Sequence, residues 1–161
     1  MKNVVVLLYR YRNMTNLIEN KKVRLNYEIL EDYEGGLELR GFEVKALLNK
    51  LGSLESTHVS VRGGEAYLLN SNIPPYQPAN TPDEYDPARP RRILLSRDEI
   101  QRLKGLESRK GLTIVPISMY TKGRKIKVRI AVVRGKKKYD KRETLKKRTT
   151  EREIQRRLKV S

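Results

Sequence analysis

The chain has 161 residues, 36 Lys and Arg against 19 Asp and Glu, and a formal net charge of +17. It contains no Cys and one His, which excludes disulfides, thiolate zinc sites and multi-histidine metal centres. Charge this concentrated points to a polyanionic partner, because Lys and Arg that displace condensed counterions gain affinity.

Residues 1–19 read as an N-terminal extension. MKNVVVLLYRYRN carries an apolar run too short to span a bilayer, and no small-residue cleavage site follows it. Met14 reads as an alternative translation start; residues 1–13 would otherwise supply an extra strand. Val23 to Asp32 alternates like a strand. Gly35-Gly36 then suggests a turn into Leu37–Arg40, making a hairpin. Glu43 to Leu51 has helical spacing, with Gly52 as its stop. Residues 58–69 form the clearest hairpin, two β-prone runs around Gly63-Gly64, and place the lone His58 on a strand.

Residues 74–90 hold six of the seven prolines and predict an extended loop. Ser96 with Glu99 three residues on is a capping box for a helix that ends before Gly111. Leu112–Tyr120 and Ile126–Val132 pair around Lys122-Gly123-Arg124 as a second hairpin, with Lys125, Lys127 and Arg129 on its outer face. Short antiparallel strands interrupted by helices predict a mainly β fold with flanking helices, an OB-like closed antiparallel β-barrel over residues 20–133.

Residues 134–161 differ in kind. Thirteen Lys and Arg face four Asp and Glu there, with no good apolar stripe. Glu143–Lys147 and Glu153–Arg157 are i,i+4 pairs worth about 0.3–0.5 kcal/mol each. This basic C-terminal tail is expected to be disordered when free and helical on a polyanion. Catalysis finds little support: the acidic residues are scattered or sit beside cations, and no phosphate-binding glycine loop is present. The chain reads as a binding protein, not an enzyme, with no cofactor and no metal. Basic blocks at Lys21-Lys22-Arg24, Arg89-Arg91-Arg92, Lys122-Arg124-Lys125 and in the tail are interleaved with Tyr76, Tyr85, Tyr120 and Tyr139. That composition suits RNA, with Lys and Arg on the backbone and tyrosine faces on unpaired bases.

A set of motifs then resembles one family: NKK at 20–22, YEGG at 33–36, GFEVK at 41–45, IPPY at 73–76, DPARPRRILL at 86–95, VPISMY at 115–120, KIKV at 125–128 and RGKKKYDKRE at 134–143. In order and spacing they are similar to the SsrA-binding protein (small protein B) family. The resemblance implies an RNA-binding protein that takes the tRNA-like domain of transfer-messenger RNA to stalled 70S ribosomes for trans-translation, which rescues the ribosome and tags the incomplete peptide. Elongation factor Tu would join the delivery complex in the cytoplasm, without a membrane. The tail would read the empty mRNA channel beyond the decoding centre and become helical there.

By the same resemblance, RNA-contact positions map to Asn20, Glu34, Leu94 and Ser96, the last where members often carry Asn. The basic groups Lys21, Lys22, Lys122, Arg124, Lys125, Lys136, Lys137 and Lys138 would meet phosphate. Tyr139, Asp140, Lys141, Arg142, Lys146, Lys147 and Arg148 would meet the ribosome. Leu25 stands where many members carry a histidine thought to stack on decoding-centre bases. The alternative is a general OB-fold single-strand RNA-binding or ribosome-associated protein, which would bind RNA with a steep, sequence-blind salt dependence.

Overall fold

A computed structural model describes residues 14–160; the expectations for residues 1–13 lie outside them. Seven strands form one antiparallel sheet: β1 (Met14–Glu19), β2 (Tyr27–Leu37), β3 (His58–Arg62), β4 (Glu65–Leu69), β5 (Arg91–Leu94), β6 (Leu112–Lys122) and β7 (Lys125–Gly135), in the order β1-β6-β7-β2-β5-β4-β3. The helices are α1 (Val23–Asn26), α2 (Gly41–Leu48), α3 (Arg97–Glu107) and α4 (Lys138–Val160). Met14–Glu19, set apart with the extension, are a strand of the sheet. The boundary expected at residue 133 falls inside β7.

Both hairpins follow their turn chemistry. Gly63 and Gly64 have φ of 57° and 76°, the left-handed pair a two-residue primed turn needs. Ser96 caps α3 as expected: its hydroxyl accepts from the Glu99 N–H at 3.3 Å, and its own N–H donates to the Glu99 carboxylate at 2.8 Å.

The expected hairpin at Gly35-Gly36 is absent. β2 runs straight through both glycines, with β7 on one side as far as Gly36 and β5 on the other at Gly36 and Leu37. A Cβ on Gly35 would stand 2.5 Å from Ile93 Cγ2, so the residue is bare because β5 presses on it. The first part of the expected strand is instead α1.

The closed barrel is also corrected. Hydrogen bonding leaves β1 and β3 at opposite ends of the sheet. β3 comes close to β6, but α3 packs against both strands. Leu103 and Leu106 of α3 are buried, and Glu107 accepts the β3 Val61 N–H at 3.0 Å. A helix thus covers the edge that a ladder would have joined.

Inside the curve lies the main core, with Leu47, Leu68, Ile73, Ile93, Leu103, Ile114, Met119 and Ile130 at its centre. A smaller core of Val23, Val115, Ile117, Ala131 and Val133 sits under α1. β6 and β7 feed both by alternation, and the β6 register shift between Pro116 and Ser118 turns Met119 to the side of Ile114. Val115 and Ile117 face the small core, while Ile114 and Met119 face the large one.

The tail was expected to lack structure when free, but residues 138–160 form one α-helix. Lys, Arg, Glu and Leu are good helix formers. Thr144, Thr149 and Thr150 donate to the carbonyls four residues back, at 2.8–3.1 Å. Described residues along it stay largely exposed, including Tyr139, Leu145, Ile154 and Leu158.

Candidate nucleic-acid interface

The outer face of the sheet is an ion-pair lattice centred on β2. Its acidic side chains reach cations on neighbouring elements. On the opposite side of the strand, beside the core-packed Tyr33, Glu31 accepts from Arg102 of α3 through two bonds of 3.0 Å. Asp32 pairs with Arg129 of β7. Glu34 reaches over β7 to β6, accepting from Lys122 Nζ at 2.6 Å on Oε1 and from the Tyr120 hydroxyl on Oε2. Just beyond β2, Glu38 takes Arg92 of β5 at 2.8 Å, and Arg92 also meets Glu65 at 2.7 Å.

Burial alone would raise the Glu34 pKa. The donors Lys122 and Tyr120 outweigh it and hold the carboxyl below the ordinary carboxylate value. Hydrogen bonds from Arg102 and then Tyr33 do the same for Glu31. The Tyr33 phenol is pushed up to about 12, first by burial and then by its bond to Glu31. Most cations in the middle of the outer face are thus paired with a carboxylate, while Lys127 of β7, level with Gly36 and Tyr120, stands among them without an ion pair and adds to the positive field on Glu34.

Leu94 lies on the same face, opposite Gly36 and half exposed, with its side chain laid over the bare glycine. Ser96 is exposed two residues further on, at the head of α3. Antiparallel register sets Leu94 against Gly36 and leaves Ser96 on the Glu34 side of it, with Tyr120 and Lys122 across β7. Arg124 and Lys125 project from the β6–β7 turn, where Gly123 takes φ of 61°.

A second cluster gathers at the root of the tail. The Asn20 backbone N–H donates to Ile117 O at 2.8 Å, and its amide donates to Leu54 O at 3.0 Å. Asn20 therefore ties the chain to β6, three residues from Tyr120, or roughly 10 Å along the strand. It lines a cleft of about 360 Å³ with Lys21, Lys22, Ser53, Leu54 and Glu55. Lys21 is exposed, and Lys22 pairs with Glu55 at 2.8 Å.

α1 follows, carrying Leu25 half-buried. The tail is pinned to it. The Lys136 N–H donates to Asn26 O at 2.9 Å, and Lys136 Nζ donates to Arg24 O at 3.0 Å and Thr144 Oγ at 3.3 Å. Lys136 thus fixes the start of α4. Lys137 is exposed, and Lys138 opens α4, its side chain lying outside what is described.

On α4, Tyr139, Asp140, Arg142, Lys146 and Lys147 are exposed, and Lys141 and Arg148 are half-exposed. Asp140 sits in the first turn and does not precede the helix. Its negative charge there suits the helix N-terminus, which carries partial positive charge.

The Arg89-Arg91-Arg92 block is not a phosphate surface. Glu43 of α2 is fully buried and binds Arg89 at 2.6 and 2.8 Å, Arg91 at 3.0 Å, the Tyr85 hydroxyl at 3.0 Å and the Arg40 N–H at 2.7 Å. Arg91, also fully buried, further holds the carbonyls of Ser71, Pro87 and Arg89. This network stitches the proline-rich segment onto α2. Its partner, the lone acid in GFEVK, was not read from the sequence, although an acidic position amid apolar helix residues is a signal for such a role. Tyr85 is absorbed here, edge-on to Phe42 at 4.7 Å. Tyr120 is buried, whereas Tyr76 and Tyr139 remain exposed.

Among the described residues, no group of His, Asp or Glu could hold a metal, and no helix is long and apolar enough to cross a membrane.

The SmpB protein family matches residues 17–160. The SsrA-binding protein of Thermosipho africanus is 48% identical over 91% of this chain and 98% of its own length. That of Gloeothece citriformis is 47% identical over 90% and 94%. A solved chain described as "tmRNA-SmpB: a journey to the center of the bacterial ribosome" is 37% identical, with a TM-score of 0.65, covering 81% of this chain and 95% of that one. A match over nearly the whole sheet and tail, at this identity, places the chain in the SmpB, or SsrA-binding protein, family.

Proposed function

We propose that this protein binds the tRNA-like domain of transfer-messenger RNA and brings it to stalled ribosomes for trans-translation, acting by binding and not by catalysis. The observation that carries this is the presence of two surfaces on one chain. One is a compact sheet face bearing Glu34, Leu94, Ser96 and Lys122. The other is an exposed, strongly basic helix rooted beside Asn20–Arg24 through Lys136.

A face whose cations are mostly paired suits recognition of a defined RNA shape, since its groups offer directed hydrogen bonds with little non-specific pull. The helix suits a phosphate-lined channel. Twenty-three residues with almost no burial are marginal alone, so phosphate contacts would stabilise the helix. Tyr139 to Arg142 and Lys146 to Arg148 are the expected ribosome contacts, with elongation factor Tu accompanying delivery in the cytoplasm.

The test is binding of transfer-messenger RNA at physiological salt, with random RNA as competitor, for the full chain and for a version ending at Lys137. That end spares β7 and the Lys136 bonds to α1. Equal selectivity in both assigns RNA recognition to the sheet and leaves α4 for the ribosome. Loss of all selectivity in the shortened chain would overturn this division, and a full chain without preference for transfer-messenger RNA would favour the general RNA-binding alternative.

A further inference from the structure

An acid at the centre of an RNA-binding face raises a physical question. Glu34 could accept hydrogen bonds from a base or a ribose. Yet each of its oxygens already holds a donor from β6, Lys122 Nζ at 2.6 Å and the Tyr120 hydroxyl. β7 separates the two strands, so the side chains join over its Lys127–Arg129 segment, which pairs with Tyr120 on one side and Glu34 on the other.

We propose that Glu34 is a positioning residue, setting specificity by clamping Lys122 and Tyr120 across three strands rather than by touching RNA. The proposal rests on the RNA-binding reading above.

Two consequences follow from this geometry. First, the clamp holds Lys122 in one place. A lysine ammonium has three N–H donors, and one goes to Glu34, so the others point to a fixed spot that a correctly placed phosphate or ribose can meet. A free lysine would reach any nearby phosphate. Second, the carboxylate cancels the Lys122 charge in the unbound protein. Random RNA then gains little from this position, because counterion release rewards net positive charge. Glu34 thereby lowers the affinity for wrong RNA as well as organising the contact for the right one, the two halves of discrimination. Leu94, laid over Gly36 on the same face, adds an apolar wall beside the clamp.

The test is a double-mutant cycle on the full chain. Affinity for transfer-messenger RNA and for random RNA of equal length is measured over a salt series for wild type, Glu34→Gln, Lys122→Met and the double variant. Thermal midpoints within a few degrees of wild type confirm that each variant is folded; the Glu34 and Lys122 side chains keep about a third of their exposure, so the change expected is small.

If the proposal holds, Glu34→Gln loses about tenfold in affinity for transfer-messenger RNA while affinity for random RNA stays level or rises. Lys122→Met loses a similar factor and flattens the slope of log K against log salt by about 0.9, one phosphate contact. The double variant binds no worse than either single one. Losses that multiply in the double variant would mean independent contacts and overturn the clamp. So would a Glu34→Gln variant that loses both RNAs equally, a Lys122→Met variant that binds like wild type, or single variants that all match wild type. A wild type with no preference for transfer-messenger RNA would instead overturn the RNA-recognition reading itself, and the clamp with it.

Discussion

Glu43→Ala tests the buried network beneath the proline-rich segment. Glu43 is fully enclosed and holds five donors from Arg40, Tyr85, Arg89 and Arg91. Arg89 keeps some exposure and can rehydrate. Arg91 cannot, because its side chain has none. The variant therefore leaves one guanidinium buried without a counter-charge. Removing one partner of a buried pair costs about 3–5 kcal/mol, a large share of the roughly 5–15 kcal/mol that holds a typical domain. At about 2–4 °C per kcal/mol for a chain of this size, the melting midpoint should fall by roughly 6–20 °C.

The same network sets a pH dependence. Burial pushes the Glu43 pKa up, but hydrogen bonds from Arg89 and the Arg40 N–H, with the charge of Arg91, bring it below its ordinary 4.5. A carboxyl lowered on folding stabilises the fold above its unfolded pKa and loses that contribution as pH falls through the folded value. Urea denaturation of wild type and Glu43→Ala from pH 7 down to pH 3 measures both effects. The gap between the two should be widest at neutral pH and shrink in acid. A loss under about 1 kcal/mol at pH 7, or a gap that widens in acid, would refute the reasoning. Glu43→Met with Arg91→Met should recover only part of the loss, because the carbonyls of Ser71, Pro87 and Arg89 lose their donor.

Gly35→Ala places a methyl 2.5 Å from Ile93 Cγ2 and 3.1 Å from Leu95; overpacking of this kind costs about 1–3 kcal/mol, readable in a urea titration. Ser96→Ala removes the α3 cap and should cost about 0.5–2 kcal/mol of stability. If the serine acts only as a cap, RNA affinity measured below the melting transition is unchanged, and a tenfold affinity loss with intact stability would assign it to RNA instead. Lys136→Met cuts the bonds to Arg24 and Thr144, so amide exchange should quicken in the first turns of α4 while β6 and β7 stay protected.

Elements whose local chemistry has one solution were legible in the sequence. Gly63-Gly64 between β-prone runs gives a primed hairpin, and Ser96 with Glu99 gives a capped helix. Gly35-Gly36 was misread because a bare Cα serves a turn and a close strand contact equally well; only the presence of Ile93 across the gap decides between them. The open sheet was hidden for a related reason, since strand count and alternation do not reveal that α3 will pack across β3 and β6. At the candidate site, the acidic position 34 and the basic position 122 were each visible, but their union across β7 depends on register. Three arginines in four positions read as a phosphate surface, although alternation along β5 turns Arg91 inward and Arg92 outward.

Of the described strands, β1 is made first and paired late. Met14 meets Lys122, and Tyr27 meets Gly135, so neither strand can settle until the last hairpin has left the ribosome. The β3–β4 hairpin can form early from local contacts, and β6–β7 can zip as soon as it is synthesised, but β2 and β1 must wait for the pair that receives them on either side. Long-range pairings of this kind slow folding, because the loop-closure entropy is spent before any contact repays it. An acid-rich β2 is well suited to that wait: its charges keep an unpaired edge soluble until the cations of β6 and β7 arrive to neutralise it.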